Sequence, residues 1–226
     1  MIDTPLSSQA VDELSLRQQL ATAYRELINL GLNRGTSGNC SIRLGRNKLL
    51  ITPSGAPQEQ VLPETLVEIT LDGKVNGLGV PSSEWRFHCD IMKHMQDVEA
   101  VVHTHSSAAT AVACLHKEIP AFHYMVAVAG GDSIRCSKYE LFGSQQLSDR
   151  VLESLVDRQA CLMANHGVIA VGRNLRQAVQ LALEVETLSD QYLRAISCGE
   201  PVILTKKEML MVLEKFKNYG ANSNKN

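Results

Sequence analysis

The stretch Ala100-Val101-Val102-His103-Thr104-His105 runs from small apolar residues into a histidine–threonine–histidine alternation. In an extended strand successive side chains point to opposite faces, so His103 and His105 project together while Thr104 points away. Two imidazoles on one face suit a single divalent cation, and a third nitrogen from elsewhere would leave a coordination position open for substrate. His166, in the turn Asn165-His166-Gly167, is a candidate third donor, and Glu84 lies upstream. The spacing leaves Glu84 open between three roles: complement to a helix dipole, metal ligand and general base. His88 and His94 stand six apart on a predicted helix, which is poor spacing for one metal, and read as structural.

Around this strand the chain alternates short strands with helices. A first helix is predicted over residues 11–30, where Leu20, Tyr24, Leu27 and Ile28 form one apolar stripe and Gly31 is placed to cap the end. Gly45-Arg46-Asn47 reads as a hairpin tip before a strand over 48–52, and a further strand over 67–71 ends at Asp72-Gly73. Pro81-Ser82-Ser83-Glu84 reads as a helix start, with a serine cap and the stripe Trp85, Cys89, Met92 behind it. Ser106-Ser107 is expected to cap the next helix, followed by a glycine-rich region over 125–133 and a loop around Tyr139 and Phe142. A helix over 143–156, strands over 160–164 and 168–171, and a long helix over 175–196 come next. Thr205-Lys206-Lys207-Glu208 has capping-box spacing for a last helix to Tyr219, with Gly220 as its stop.

The pattern predicts an α/β fold, three layers α/β/α with a predominantly antiparallel central sheet. A single domain is expected over 1–226, with loose termini at 1–10 and 221–226. No strand leads into G-x-G-x-x-G, and no phosphate-loop lysine motif occurs, so a doubly wound nucleotide fold is not expected.

Composition narrows the function. Of 226 residues 44% are hydrophobic, enough for a core without covalent staples, and the formal net charge of -2 argues against a nucleic-acid surface. The first ten residues carry Asp3 and lack the pattern of a secretory leader, and no apolar run reaches the roughly 20 residues of a membrane helix. Six cysteines are spread without a C-x-x-C pair, which fits free thiols in a reducing, cytoplasmic setting. Three turns, Gly38-Asn39, Ser54-Gly55 and Ser82-Ser83, carry glycine or serine where a backbone could approach an anion. Each alone is more often an ordinary turn.

Five motifs stand in a fixed order: Gly35-Thr36-Ser37-Gly38-Asn39, Thr52-Pro53-Ser54-Gly55, Pro81-Ser82-Ser83-Glu84-Trp85-Arg86-Phe87-His88, Val102-His103-Thr104-His105 and Asn165-His166-Gly167. The ordered set, over about residues 16–220, resembles the class II aldolase/adducin family. The resemblance implies one zinc ion per subunit held by His103, His105 and His166, with Glu84 able to ligate it in the free enzyme. It implies phosphate contacts from Gly38, Asn39, Ser54, Gly55, Ser82 and Ser83, and Ser54 stands where a threonine is common in relatives. It also implies a homotetramer with sites at subunit interfaces, where Tyr124 and Tyr219 reach a neighbour's site.

The implied reaction is cleavage of a ketose 1-phosphate to dihydroxyacetone phosphate and a short aldehyde. L-fuculose 1-phosphate, giving L-lactaldehyde, is the substrate expected first. The implied catalytic residues are Glu84, Tyr124 and Tyr219. Cleavage of a 5-deoxypentulose or methylthioribulose 1-phosphate, 4-epimerisation of a pentulose 5-phosphate, and a non-catalytic adducin-like module are the alternatives. The retained Glu84, His103, His105 and His166 weigh against the last.

Overall fold

The computed structural model describes residues 8–219. Its centre is an eight-stranded sheet in the order β4-β3-β2-β1-β5-β8-β7-β6. The strands are β1 (Asn39–Arg43), β2 (Lys48–Ile51), β3 (Val67–Thr70), β4 (Val75–Asn76), β5 (Ala100–Thr104), β6 (Cys136–Ser137), β7 (Ala160–Met163) and β8 (Gly167–Gly172). Every pairing is antiparallel except that of β6 with β7. The histidine strand β5 is central, flanked by β1 and β8. The predominantly antiparallel α/β sheet expected from the sequence is the one present.

Six helices flank the sheet: α1 (Ser8–Asn29), α2 (Trp85–His94), α3 (Ser107–Cys114), α4 (Gln145–Leu155), α5 (Leu175–Cys198) and α6 (Lys206–Tyr219). Strand alternation sorts the core into two layers. Leu50, Val102, Leu162 and Ala170 face α1, α3 and α5, while Leu49, Ile51, Val101, Cys161 and Ile169 face α2 and α4. The residue two beyond Val101 is His103, so its ring is directed to the α2 side, where it meets Phe87 edge-on.

Several local expectations hold. Gly31 sits at φ +73°, Leu32 N donates to Leu27 O and Gly31 N to Ile28 O, the paired bonds of a Schellman motif that ends α1. Thr205 and Glu208 exchange the two bonds of a capping box before α6. Others are corrected. His105 lies just past the end of β5. Glu84 is the N-cap of α2 rather than a first-turn residue, and Ser82 Oγ accepts from Glu84 N. The start of α3 is satisfied not by a serine side chain but by Glu186 on α5, whose carboxylate accepts from Ala108 N and Ala109 N. A carboxylate at a helix N-terminus is favoured by charge as well as by hydrogen bonding. The first part of the glycine-rich region is a 3-10 helix, Tyr124–Ala129. Of the termini expected to be loose, residues 8–10 belong to α1, while 1–7 and 221–226, and the stop at Gly220, lie outside the described residues.

Candidate metal centre and substrate pocket

Three chain segments bring four donors together at one end of β5. His103 and His105 leave the strand on one side, Glu84 starts α2, and His166 sits in the β7–β8 turn. Tight backbone geometry builds that turn: Asn165 is left-handed at φ 53°, His166 N donates to Met163 O, and His116 Nε2 donates to Asn165 Oδ1. The next residue must be glycine, because a Cβ at Gly167 would stand 2.3 Å from Thr104 O and 3.2 Å from both His103 and His105 rings.

The donor atoms of Glu84, His103, His105 and His166 lie within 4.8 Å of one another. His103 Nε2 is 2.9 Å from His105 Nε2 and 3.1 Å from Glu84 Oε2, and His166 Nε2 is 3.0 Å from Glu84 Oε1. His103 Nδ1 donates to Val168 O, which leaves its Nε2 lone pair aimed into the cluster. Glu84 Oε1 makes no well-directed hydrogen bond even though His166 is near. Lone pairs converging on one point, with a buried carboxylate among them, are what a divalent cation satisfies, so the donor set fits a metal.

The electrostatics follow from burial and neighbours. Burial alone would raise the Glu84 carboxyl, but the adjacent His103 and His166 rings outweigh it and hold it well below the usual carboxylate range. Burial of its inner side, with His103 and His166 beside it, pushes His105 down to about 4. More than a third of that residue is exposed at the rim, so water offsets part of the push.

Beside the cluster is a pocket of about 330 Å³ lined by Gly38, Asn39, Ser54, Gly55, Ser82, Ser83, Glu84, His105 and His166. All six positions expected to contact phosphate therefore border one cavity. Gly38 stands at φ +74° with no room for a side chain, since a Cβ there would meet Asn33 at 2.3 Å. Ser82 and Ser83 precede α2, whose free N–H groups favour an anion. Tyr139 and Phe142 form the exposed edge of the same pocket. A larger cavity of about 1160 Å³ at the opposite end of β5 and β8 holds none of the four donors.

Other expected residues stand apart. Tyr124 is half exposed, stacked on His123 with a ring separation of 4.8 Å and on Phe216 at 6.4 Å, and does not line the pocket of its own chain. Tyr219 ends α6 at the edge of the described residues, and its side chain lies outside them. One residue of the site, Asn33, carries no sequence signal, and another, His88, reads from the sequence as structural only. Asn33 is buried, accepts His105 N through Oδ1 and fills the space under Gly38. His88 is fully buried and hydrogen-bonded to Asn39 and Ser41.

Three histidines and a carboxylate at a strand end, opening on an anion-suited pocket, make a candidate metal centre in an α/β protein. Residues 18–193 match the profile of the class II aldolase and adducin N-terminal domain, and the chain belongs to that family. It is 51% identical over 210 residues to a 5-methylthioribulose-1-phosphate/5-deoxyribulose-1-phosphate aldolase of Rhodospirillum rubrum, covering 93% of this chain and 95% of the relative. It is 45% identical over 206 residues to the L-fuculose phosphate aldolase of Escherichia coli K12, covering 91% and 95%. A solved L-fuculose 1-phosphate aldolase superposes with a TM-score of 0.86 at 36% identity, covering 90% and 96%.

Proposed function

We propose that this protein is a zinc-dependent aldolase that cleaves a ketose 1-phosphate into dihydroxyacetone phosphate and a short aldehyde with an apolar end. The observation that carries this reading is the convergence of Glu84, His103, His105 and His166 beside the serine–glycine pocket. His103, His105 and His166 would hold the zinc. When bound, it supplies Lewis-acid stabilisation for the carbanion left as the C3–C4 bond breaks.

The chain's own residues divide the remaining work. Gly38, Asn39, Ser54, Gly55, Ser82 and Ser83 bind the 1-phosphate and fix the sugar's register. Glu84 moves the proton at the hydroxymethyl carbon of dihydroxyacetone phosphate, its buried carboxylate standing beside the three histidines at the pocket wall. Tyr124, with Tyr219, handles the proton at the aldehyde oxygen of a neighbouring subunit's site. The exposure of Tyr124 and its absence from its own pocket support that placement and the homotetramer it requires. The whole chain works as one domain. The six described cysteines are all free thiols, which supports a cytoplasmic setting. No helix among the described residues is long and apolar enough to cross a membrane.

The sequence expectation put L-fuculose 1-phosphate first. The 51% identity to an aldolase named for 5-methylthioribulose and 5-deoxyribulose 1-phosphates now favours those substrates, and the 45% relative keeps L-fuculose 1-phosphate as the second reading. All three leave a methyl or methylthio end on the aldehyde, which suits a pocket edge made of Tyr139 and Phe142. A panel of the three sugars, each read by enzymatic detection of dihydroxyacetone phosphate, ranks them by kcat/KM. The reading expects 5-methylthioribulose or 5-deoxyribulose 1-phosphate to lead, and a lead for L-fuculose 1-phosphate reverses the order.

A further inference from the structure

His88 lies outside the donor cluster yet is connected to it. It follows Glu84 by one helical turn on α2, so both residues present the same face to the sheet. On β1, Asn39 and Ser41 are two apart and share the face turned to α2, and Asn39 is the cross-strand partner of His103. The strand repeat and the helix repeat therefore interleave, in the order Ser41, His88, Asn39, Glu84.

The direction of each hydrogen bond follows from the chemistry of its partners. Asn39 Nδ2 donates to Glu84 Oε2 at 3.0 Å, because an ionised carboxylate only accepts. The other end of the amide, Oδ1, accepts from His88 Nε2 at 2.6 Å. With that proton on Nε2, the neutral ring takes a hydrogen bond at Nδ1 from Ser41 Oγ, 2.7 Å away. All four groups are buried. A turned-over Asn39 amide would set its oxygen against the Glu84 carboxylate, so Glu84 selects the amide orientation, and the His88 N–H accepted by Oδ1 holds the amide in place.

We propose that His88, backed by Ser41, is a positioning residue that holds Glu84 for proton transfer by fixing the Asn39 amide. The inference rests on the aldolase reading and extends it to a residue that touches neither metal donor nor pocket. The competing view is that His88 only fills the space between β1 and α2, where it also stacks on Phe87 at 4.7 Å. Filling requires volume alone, whereas positioning requires an N–H at the place of Nε2.

The test compares wild type, His88→Leu, His88→Gln and Ser41→Ala. Three quantities are measured: zinc per subunit, kcat and KM for sugar cleavage, and deuterium uptake into the hydroxymethyl carbon of dihydroxyacetone phosphate in D2O. His88→Leu is expected to keep its zinc and its KM while kcat and deuterium uptake both fall about 10- to 100-fold. His88→Gln, which keeps an N–H near the same place, is expected to recover most of that loss. Wild-type uptake in zinc-replete His88→Leu, or equal impairment of the two His88 variants, overturns the proposal.

If His88→Leu does not fold, Ser41→Ala decides. Uptake slowed about 3-fold at unchanged zinc and KM supports the chain, and unchanged uptake overturns it. Wild-type protein that neither cleaves a ketose 1-phosphate nor exchanges deuterium removes the aldolase reading and this inference together. That outcome is distinct because the unaltered protein is then silent.

Discussion

The pocket has two unlike walls. The inner wall carries Glu84, buried at the start of α2, with the buried His103 of β5 directly behind it, both placed by packed elements. The outer edge carries Tyr139 and Phe142, and Tyr124 stands on a separate surface of the chain, all at least half exposed and held by loops or a short 3-10 helix. The difference separates reaction from substrate choice. Bond cleavage needs donors placed to a fraction of an ångström, which packed elements provide. The aldehyde end varies between relatives, and loop side chains at a pocket edge can change without disturbing the sheet.

The largest effect is expected from the inner wall. Glu84→Gln keeps the size of the side chain and one possible ligand oxygen but removes the base. Zinc content should stay near one per subunit while kcat drops about 1,000-fold, within the range of general-base losses. Wild-type turnover would break the assignment of chemistry to this wall.

Next is the acid sensitivity of the metal-free protein. Burial, with His103 nearby, pushes His88 down to about 3. Its unfolded value is near 6.5, so between about pH 6.5 and pH 3 the unfolded chain binds the proton that the folded chain refuses. Stability should therefore be independent of this group above pH 6.5 and fall as pH drops, by on the order of 3 kcal/mol at about pH 4. Glu84, held low, acts in the same direction once pH falls below the ordinary carboxylate range. Denaturant melts in the presence of chelator measure this, and His88→Gln should flatten the slope. A slope unchanged by that substitution would remove His88 from the account.

At the exposed tyrosines the effects should be smaller and of a different kind. Tyr124→Phe should lower kcat about 10- to 100-fold while leaving inhibition by inorganic phosphate unchanged, as the proposed role of its hydroxyl at the aldehyde oxygen requires. Tyr139→Ala should change the kcat/KM ratio between 5-methylthioribulose and L-fuculose 1-phosphates only about 5-fold, with zinc content unaffected. Equal losses on both sugars would show that Tyr139 supports the pocket without choosing its contents.

How much of this was legible in the sequence divides along the same line. The stripe of α1, the Thr205–Glu208 box and the Asn165-His166-Gly167 turn are local patterns, and each folds as read, while His103 and His105 share a side although His105 lies just past β5. The strands Val75–Asn76 and Cys136–Ser137 were missed because two residues carry no alternation. The start of α3 was misassigned to serines because its partner, Glu186, is 78 residues away. His88 reads as merely structural because its spacing to His94 says nothing about Asn39 and Ser41, its partners on β1, 49 and 47 residues away. Asn33 gave no signal at all, since a buried asparagine between two turns has no periodicity to read.

The central claim is that a metal held by Glu84, His103, His105 and His166 makes this chain an aldolase. It is tested most directly by release of dihydroxyacetone phosphate from the three ketose 1-phosphates, before and after chelation and after zinc is restored. The account expects release from at least one sugar, its loss on chelation, and its return with zinc. Release that persists in protein shown to be zinc-free, or none from any of the three sugars by the zinc-loaded protein, would contradict it.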